Sequence, residues 1–281
     1  MKTIQSPKRM QKICLDLKKQ GKRIGFVPTM GYLHEGHLSL MKVAKKKSDV
    51  LVVSLFVNPT QFGPREDFKT YPRDLERDKR LLNEVGCDYL FCPKVKDMYP
   101  ERYETYIELE NSTKVLEGAF RPGHFKGVTT IVAKLFNTVQ PDMAVFGQKD
   151  FQQAAVIKRM VQDLHMPVKI AVAPTIREKS GLALSSRNSY LSNEERKQAL
   201  VLYESLKLAK RMIRSGERDA RKITDKMRKL ILEMLRAKID YVSINDSGTL
   251  RPLKRLNGDI LISLAVRIGK TRLIDNIRLT L

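Results

Sequence analysis

Residues 24–44 constrain the fold more than any other stretch. Ile24-Gly25-Phe26-Val27 is short, apolar and β-prone, and Leu38, Leu40, Met41, Val43 and Ala44 are spaced as on a buried helix face. Between them runs Pro28-Thr29-Met30-Gly31-Tyr32-Leu33-His34-Glu35-Gly36-His37, which therefore reads as a strand-to-helix turn. Gly31 and Gly36 let the backbone come close to a ligand. The helix that follows aims its first N–H groups into the turn, and that end of a helix favours anions. His34 and His37, three apart, share one face of the first helical turn and form a donor pair for phosphate oxygens. Two histidines at this spacing also suit zinc. Against zinc, Cys14, Cys87 and Cys92 lie far away and make no Cys-x-x-Cys pair.

The pattern of strand, turn and helix repeats. Val50–Val57 is a near-continuous apolar run, as expected of a strand buried on both faces, and the loop from Asn58 to Pro64 follows it. Further strands are expected at Tyr89–Cys92, Met143–Phe146 and Val168–Ala173. Helices are expected at Met1–Gln20, Leu38–Lys47, Asp74–Val85, Val128–Val139 and Phe151–Leu164. In the helix from Asp74, Leu75, Leu81, Leu82 and Val85 read as inward-facing, and Val95 to Asn111 reads as irregular. Strands alternating with helices imply a doubly wound parallel, Rossmann-like α/β sheet, whose ligands bind beyond the strand C-termini. The loops at 28–37, 58–63 and 147–150 all fall at that end.

After Pro174 the texture changes. Ser192-Asn193-Glu194-Glu195 is a capping box that opens a long helix to about Arg214, and a second helix runs from Ala220 to about Arg236. Asp240–Ile244, Ile260–Ile268 and Arg272–Leu279 alternate as half-buried strands. The division expected is a Rossmann-like domain over 1–175 followed by a smaller α+β domain over 176–281, the second acting as a closing lid. A chain of 281 residues with 42% hydrophobic residues has material for both.

The 53 basic residues against 31 acidic give a net charge of +22, which raises nucleic-acid binding as a function. The excess is diffuse, Lys45-Lys46-Lys47 is its only run of three, and aromatic residues, at 7% with no Trp, do not interleave with it. A Lys-rich surface of the kind seen in heat-adapted proteins fits better, and its field would also favour anionic substrates. No segment approaches about 18 unbroken apolar residues, so no membrane span is expected. The polar, basic start shows no secretory signal, and three unpaired cysteines fit a reducing cytoplasm.

Two more loops carry candidate chemistry. In Gly147-Gln148-Lys149-Asp150, Lys149 can reach a phosphate, while Asp150 can cap the next helix or hold a ribose hydroxyl. Leu184-Ser185-Ser186-Arg187-Asn188 puts two hydroxyls and an Arg where a triphosphate tail could be held.

Together these segments resemble a known family. His34-x-Gly36-His37 is similar to the HIGH-type signature of the nucleotidyltransferase superfamily, and Leu184–Arg187 stands where that superfamily carries its KMSKS-like loop. The resemblance narrows to the pantoate–β-alanine ligases. It rests on PTMGYLHEGH at 28–37, VNPTQFG at 57–63, YPR at 71–73, LEGAFRPGHFKGV at 116–128, FGQKDFQQ at 146–153 and LALSSRN at 182–188.

The resemblance implies an enzyme that condenses (R)-pantoate with β-alanine using ATP and Mg²⁺, releases AMP and pyrophosphate, and works as a cytoplasmic homodimer. It implies an ATP site of Met30, Gly31, Tyr32, Leu33, His34, Glu35, Gly36, His37, Gly147, Gln148, Lys149, Asp150, Ile176, Leu184, Ser185, Ser186 and Arg187. His37 would be the proton donor, with His34 and Lys149 beside it in catalysis. Gln61, Gln153, Asn58 and Met30 would hold pantoate, and Gln61 would also lie near β-alanine. An acidic pair that often follows YPR in the family and serves magnesium is here Arg77-Asp78, leaving Asp78 as the one candidate ligand; Leu184 replaces a frequent Met. A tRNA-synthetase-like fragment would use the same turn, but no RNA-binding module is recognisable. A non-catalytic nucleotide-binding module would not need all three active loops.

Overall fold

The computed structural model describes residues 1–64 and 66–281. In chain order the elements are β1 (Lys2–Ile4), α1 (Pro7–Lys19), β2 (Ile24–Thr29), α2 (Glu35–Lys46), β3 (Val50–Leu55), α3 (Leu75–Glu84), β4 (Tyr89–Phe91), α4 (Val95–Met98), α5 (Glu117–Phe120), α6 (His124–Val139), β5 (Met143–Gly147), α7 (Phe151–Asp163) and β6 (Lys169–Ala173). They are followed by α8 (Asn193–Ala199), α9 (Val201–Arg214), α10 (Ala220–Leu232), β7 (Ala237–Asp246), β8 (Asp259–Ile268) and β9 (Thr271–Thr280). Two compact units result. The first comprises Met1–Thr113, Arg121–Gln148 and Gln153–Pro174; the second comprises Lys114–Phe120, Lys149–Gln152 and Thr175–Leu281.

In the first unit six parallel strands form one sheet in the order β1-β4-β3-β2-β5-β6. Alternate residues of a strand face opposite sides, so Phe26 and Val52 enter a core with α1, α6 and α7, while Val27 and Val53 enter another with α2 and α3. Strand order reverses between β2 and β5. That reversal is the switch point beyond which doubly wound sheets bind their ligands. β2 and β3 run in register from Ile24↔Val50 to Thr29↔Leu55, so their exit loops leave the sheet side by side.

In the second unit β7, β8 and β9 form an antiparallel sheet with β8 central. The inward faces of α9 and α10 share its core, with Leu206, Ile223, Met227 and Ile231 packed with Ile260, Ile262 and Leu264. No helix among the described residues is long and apolar enough to cross a membrane.

Several boundaries differ from expectation. The N-terminal helix starts at Pro7, where Ser6 caps it by accepting from the Arg9 N–H at 3.3 Å. Lys2–Ile4 instead pairs with β4 as an edge strand. Val95–Met98 forms one short helix in the stretch expected to be irregular. The helix opened by Ser192 divides at Leu200 into α8 and α9, and α10 ends at Leu232, before Arg236. Leu75 follows the N-cap Asp74 at the start of α3 and is 42% exposed, not inward.

Candidate active site

The turn after β2 is held from three sides. The Thr29 hydroxyl donates to the Ser54 carbonyl at 2.8 Å and accepts from the Gly31 N–H at 3.2 Å. Gly31 has φ +85°, and a Cβ there would sit 3.0 Å from Asp78 Oδ2. Tyr32 follows at φ +52°, a left-handed conformation costing a residue with a Cβ about 1–2 kcal/mol. Asp78, 2% exposed on α3, accepts from the N–H groups of Tyr32 at 2.8 Å and Leu33 at 2.7 Å. Burial pushes the Asp78 carboxyl above its ordinary range, opposed by these two N–H groups and by the neighbouring Arg77 charge. The Arg77 guanidinium lies 5.2 Å over the Tyr32 ring.

The helix α2 then begins with a reciprocal cap built of histidines. His34 Nδ1 accepts from the Gly36 N–H at 3.1 Å, and His37 Nδ1 accepts from the His34 N–H at 3.3 Å. A neutral imidazole accepting at Nδ1 carries its proton on Nε2, so the hydrogen-bond pattern assigns an Nε2–H donor to each ring. The ring centroids are 4.1 Å apart. The pair thus stands at a helix N-terminus with both Nδ1 atoms turned to backbone N–H groups. Glu35, in the same turn, forms an exposed pair with Lys42 at 3.9 Å.

The loop after β3 sits beside this turn. Gln61 donates from Nε2 to Met30 Sδ at 3.2 Å and accepts at Oε1 from Asn58 at 3.1 Å. Asn58 is 1% exposed. Its amide also donates to the Gly127 carbonyl at 3.1 Å, and its Oδ1 accepts from the Tyr99 hydroxyl at 2.8 Å and the Thr60 hydroxyl at 3.0 Å. Two donors and two lone pairs are all engaged within the protein, so in this structure Asn58 orients Gln61. Gly127 lets α6 approach this loop, since a Cβ would lie 2.4 Å from the Thr60 carbonyl oxygen.

A second chain of bonds fixes the Gln61 backbone. Glu66 takes the Arg121 guanidinium at 2.7 Å through each of its oxygens. Arg121 donates to His124 Nε2 at 3.1 Å, and His124 Nδ1 donates to the Gln61 carbonyl at 2.8 Å. An arginine can only donate and a carbonyl can only accept, so His124 is neutral with its proton on Nδ1. Arg121 and His124 both lie in the LEGAFRPGHFKGV segment, and its sequence alone gives neither a role. Their spacing of three across Pro122-Gly123 was the available signal.

Gly147 ends β5 on the other side of the switch point, and Gln148 opens the turn that follows. Adjacent glutamines on α7 differ in use. Gln152 is buried, bonded to the Glu117 N–H at 2.9 Å and to the Val115 carbonyl at 2.7 Å. Gln153 is half-buried, and among the described residues its amide makes no hydrogen bond, which leaves it able to take a ligand.

In the second unit, Lys149 Nζ lies 3.9 Å from Asp150, and the Lys149 carbonyl accepts from Asn276 of β9 at 2.8 Å. The serine loop is closed by Leu184 N–H to the Ile176 carbonyl at 3.0 Å and by Ser185 Oγ, which accepts from the Arg187 N–H at 3.2 Å. Ser186 is buried in the turn that follows. Asn188 anchors the loop through the Ala183 carbonyl at 3.0 Å, and Arg177 anchors its start through Asp275 at 2.5 and 2.8 Å.

Among the described residues no group of three or more His, Cys, Asp or Glu side chains could hold a metal ion. Both Asp78 oxygens are occupied by backbone N–H groups. A magnesium ion accompanying a nucleotide would thus rest mainly on the phosphate oxygens and water, as this ion commonly does.

A doubly wound α/β sheet with a histidine-capped, anion-favouring turn at its switch point defines a nucleotide-handling enzyme class. The family model described as pantoate-beta-alanine ligase matches residues 2–278. The chain belongs to that family. It is 56% identical to the pantothenate synthetase of Moorella thermoacetica over 260 residues, 92% of each chain. The crystal structure of pantothenate synthetase from Thermus thermophilus superposes with a TM-score of 0.93 at 44% identity, covering 99% of both chains. The pantoate-beta-alanine ligase from Francisella tularensis, solved in complex with beta-gamma ATP and β-alanine, gives 0.80 at 40% identity, covering 99% of this chain and 97% of that one.

Proposed function

We propose that this chain condenses (R)-pantoate with β-alanine, cleaving ATP to AMP and pyrophosphate through a pantoyl-adenylate. The observation that carries the reading is the reciprocal histidine cap: two neutral imidazoles with Nε2–H donors at the start of α2, beside the switch point of the sheet. Family membership and the Francisella tularensis complex support the same substrates.

In the first step a pantoate carboxylate oxygen bonds to the α-phosphorus, and the α–β bridging P–O bond breaks, with pyrophosphate leaving. Carboxylates are poor nucleophiles, so position and charge stabilisation supply the rate. His34, His37 and Lys149 stabilise charge on the phosphoryl oxygens, and His37 acts as proton donor. Gln61 and Gln153 hold pantoate, the first kept in place by Asn58. The remaining residues at 30–36, 147–150 and 176 bind the nucleotide, while Leu184, Ser185, Ser186 and Arg187 steady the polyphosphate. In the second step the neutral amine of β-alanine attacks the acyl carbon, the C–O bond to AMP breaks, and the amine proton passes to solvent. No protein nucleophile is required.

Mg²⁺ on the ATP phosphates, a homodimer and a cytoplasmic location complete the reading. It assigns 1–175 to nucleotide and pantoate binding and 176–281 to a small α+β lid. The net charge of +22 is surface charge without sequence-specific nucleic-acid binding. Labelled pyrophosphate should exchange into ATP when pantoate is present and β-alanine absent. Lys149→Ala should suppress exchange and pantothenate formation in parallel. Absence of exchange at every magnesium concentration would remove the adenylate; exchange surviving in Lys149→Ala would move Lys149 to the second step.

A further inference from the structure

The turn from Met30 to His34 has an occupant of its own. Gly31 and Tyr32 are both left-handed, at φ +85° and +52°, and the chain then returns to φ −146° at His34. N–H groups that a turn sets on one side make a concavity for an anion. Here the anion is Asp78, which takes the Tyr32 and Leu33 N–H groups at 2.8 and 2.7 Å. A side chain at Gly31 would be strained at this φ, and its Cβ would crowd Asp78 Oδ2 at 3.0 Å. Arg77, the preceding residue, closes over the Tyr32 ring at 5.2 Å, so consecutive residues of α3 grip both the backbone and the side chain of the turn.

We propose that Asp78 is a positioning residue: by chelating the turn it fixes where α2 starts, and so aims His34 and His37 before any nucleotide or metal arrives. The proposal rests on the functional reading above for what the histidines do, but not for how they are held. It separates two jobs a carboxylate could have at this place. A magnesium ligand needs an oxygen lone pair open to the ion at about 2.0–2.1 Å. Asp78 instead has each oxygen on a short backbone N–H bond at 2% exposure. One consequence is that the Tyr32 and Leu33 N–H groups are unavailable to a phosphate. Phosphate oxygens must be met by other groups of the turn and of α2.

Asp78→Asn keeps the shape but sets an NH₂ against one of the two N–H groups. The first measurement uses the protein without substrate or metal: imidazole nitrogen shifts by NMR, in a chain with four histidines. The unaltered protein should show the Nε2–H tautomer at His34 and His37, and Asp78→Asn should lose it. The second is pantoate-dependent pyrophosphate exchange. Its kcat/KM for ATP should fall on the order of 10²-fold, as for a misplaced catalytic group, with the magnesium requirement unchanged. Unaltered histidine signals in Asp78→Asn overturn the proposal. Combined with a raised magnesium requirement they assign Asp78 to the metal; combined with normal exchange they leave it no role. Should Asp78→Asn not fold, Asp78→Glu keeps both acceptors but displaces them by one methylene. Displaced histidine signals then support the proposal and unchanged ones overturn it. If the unaltered protein shows no exchange at all, the functional reading fails, while the substrate-free NMR still decides the role of Asp78.

Discussion

In the first unit the side chains of the proposed site are held by uncharged neighbours: His34 and His37 by backbone N–H groups, Gln61 by Asn58. In the second unit, polar side chains are organised by ion pairs. Arg272 lies between Glu117 at 2.6 Å and Asp240 at 2.7 Å, Arg177 meets Asp275 at 2.5 Å, and Arg196 meets Glu178 at 2.6 Å. Neutral groups can be left facing a ligand at small cost, whereas a buried charge must find its partner within the fold. The difference teaches where each unit is vulnerable. The first unit should lose rate before it loses stability, and the second the reverse.

The largest effect expected is on stability in the second unit. Arg272→Ala removes the cation that Glu117 and Asp240 share. The Tyr241 hydroxyl, bonded to Glu117 at 3.0 Å, cannot replace a full charge, and Arg267 reaches only Asp240, at 3.4 Å. Urea denaturation should show a loss of about 3–5 kcal/mol. A loss under about 1 kcal/mol would break the comparison, because it would make this cluster equivalent to a surface pair.

Next comes the histidine turn. His37→Ala should lower the adenylation rate on the order of 10²-fold or more, since under the proposed function it removes a donor to the reacting phosphoryl group. It also removes one arm of the α2 cap, which should cost about 1 kcal/mol of stability. Exchange kinetics set beside the denaturation curve give the ratio. A variant that lost several kcal/mol at nearly normal rate would show the cap to be structural only.

The same contrast explains which features are legible in the sequence. The sheet, the turn at 28–37 and the Ser192–Glu195 cap were legible because periodicity and capping act over a few residues. β1 was not, because three residues carry no usable period and their pairing with β4 is non-local. Asp78 is legible as an acid, but its partners are not. The Leu33 N–H it holds is 45 residues away, and the Glu117–Arg272 pair spans 155. Tyr32, a non-glycine at positive φ, gave no sign of itself, since its conformation is imposed by α3 and not by its own preference. The division of the serine-capped helix at Leu200 was likewise hidden, as nothing in its local sequence breaks a helix.

The smallest effect lies where the first unit uses an ion pair as the second does. Burial by itself would raise the Glu66 carboxyl, but the Arg121 hydrogen bonds and charge outweigh it and hold the group below its ordinary 4.5. A carboxyl whose folded value lies below its unfolded one adds stability that is complete above the unfolded value. That stability is lost as pH falls through the folded value. Glu66→Gln should therefore lower the melting temperature slightly at neutral pH, by an amount worth about 1 kcal/mol or less. The gap between the two proteins should close as pH is taken below 4.5. Protonating Glu66 leaves Arg121 with His124 Nε2 and the Gln61 carbonyl, at 3.1 and 3.4 Å, so the loop keeps neutral partners while it loses its ion pair. A gap that stays constant into acid would mean that Glu66 acts through shape alone. The first unit would then owe nothing to charge pairing at this loop, which sharpens its contrast with the second.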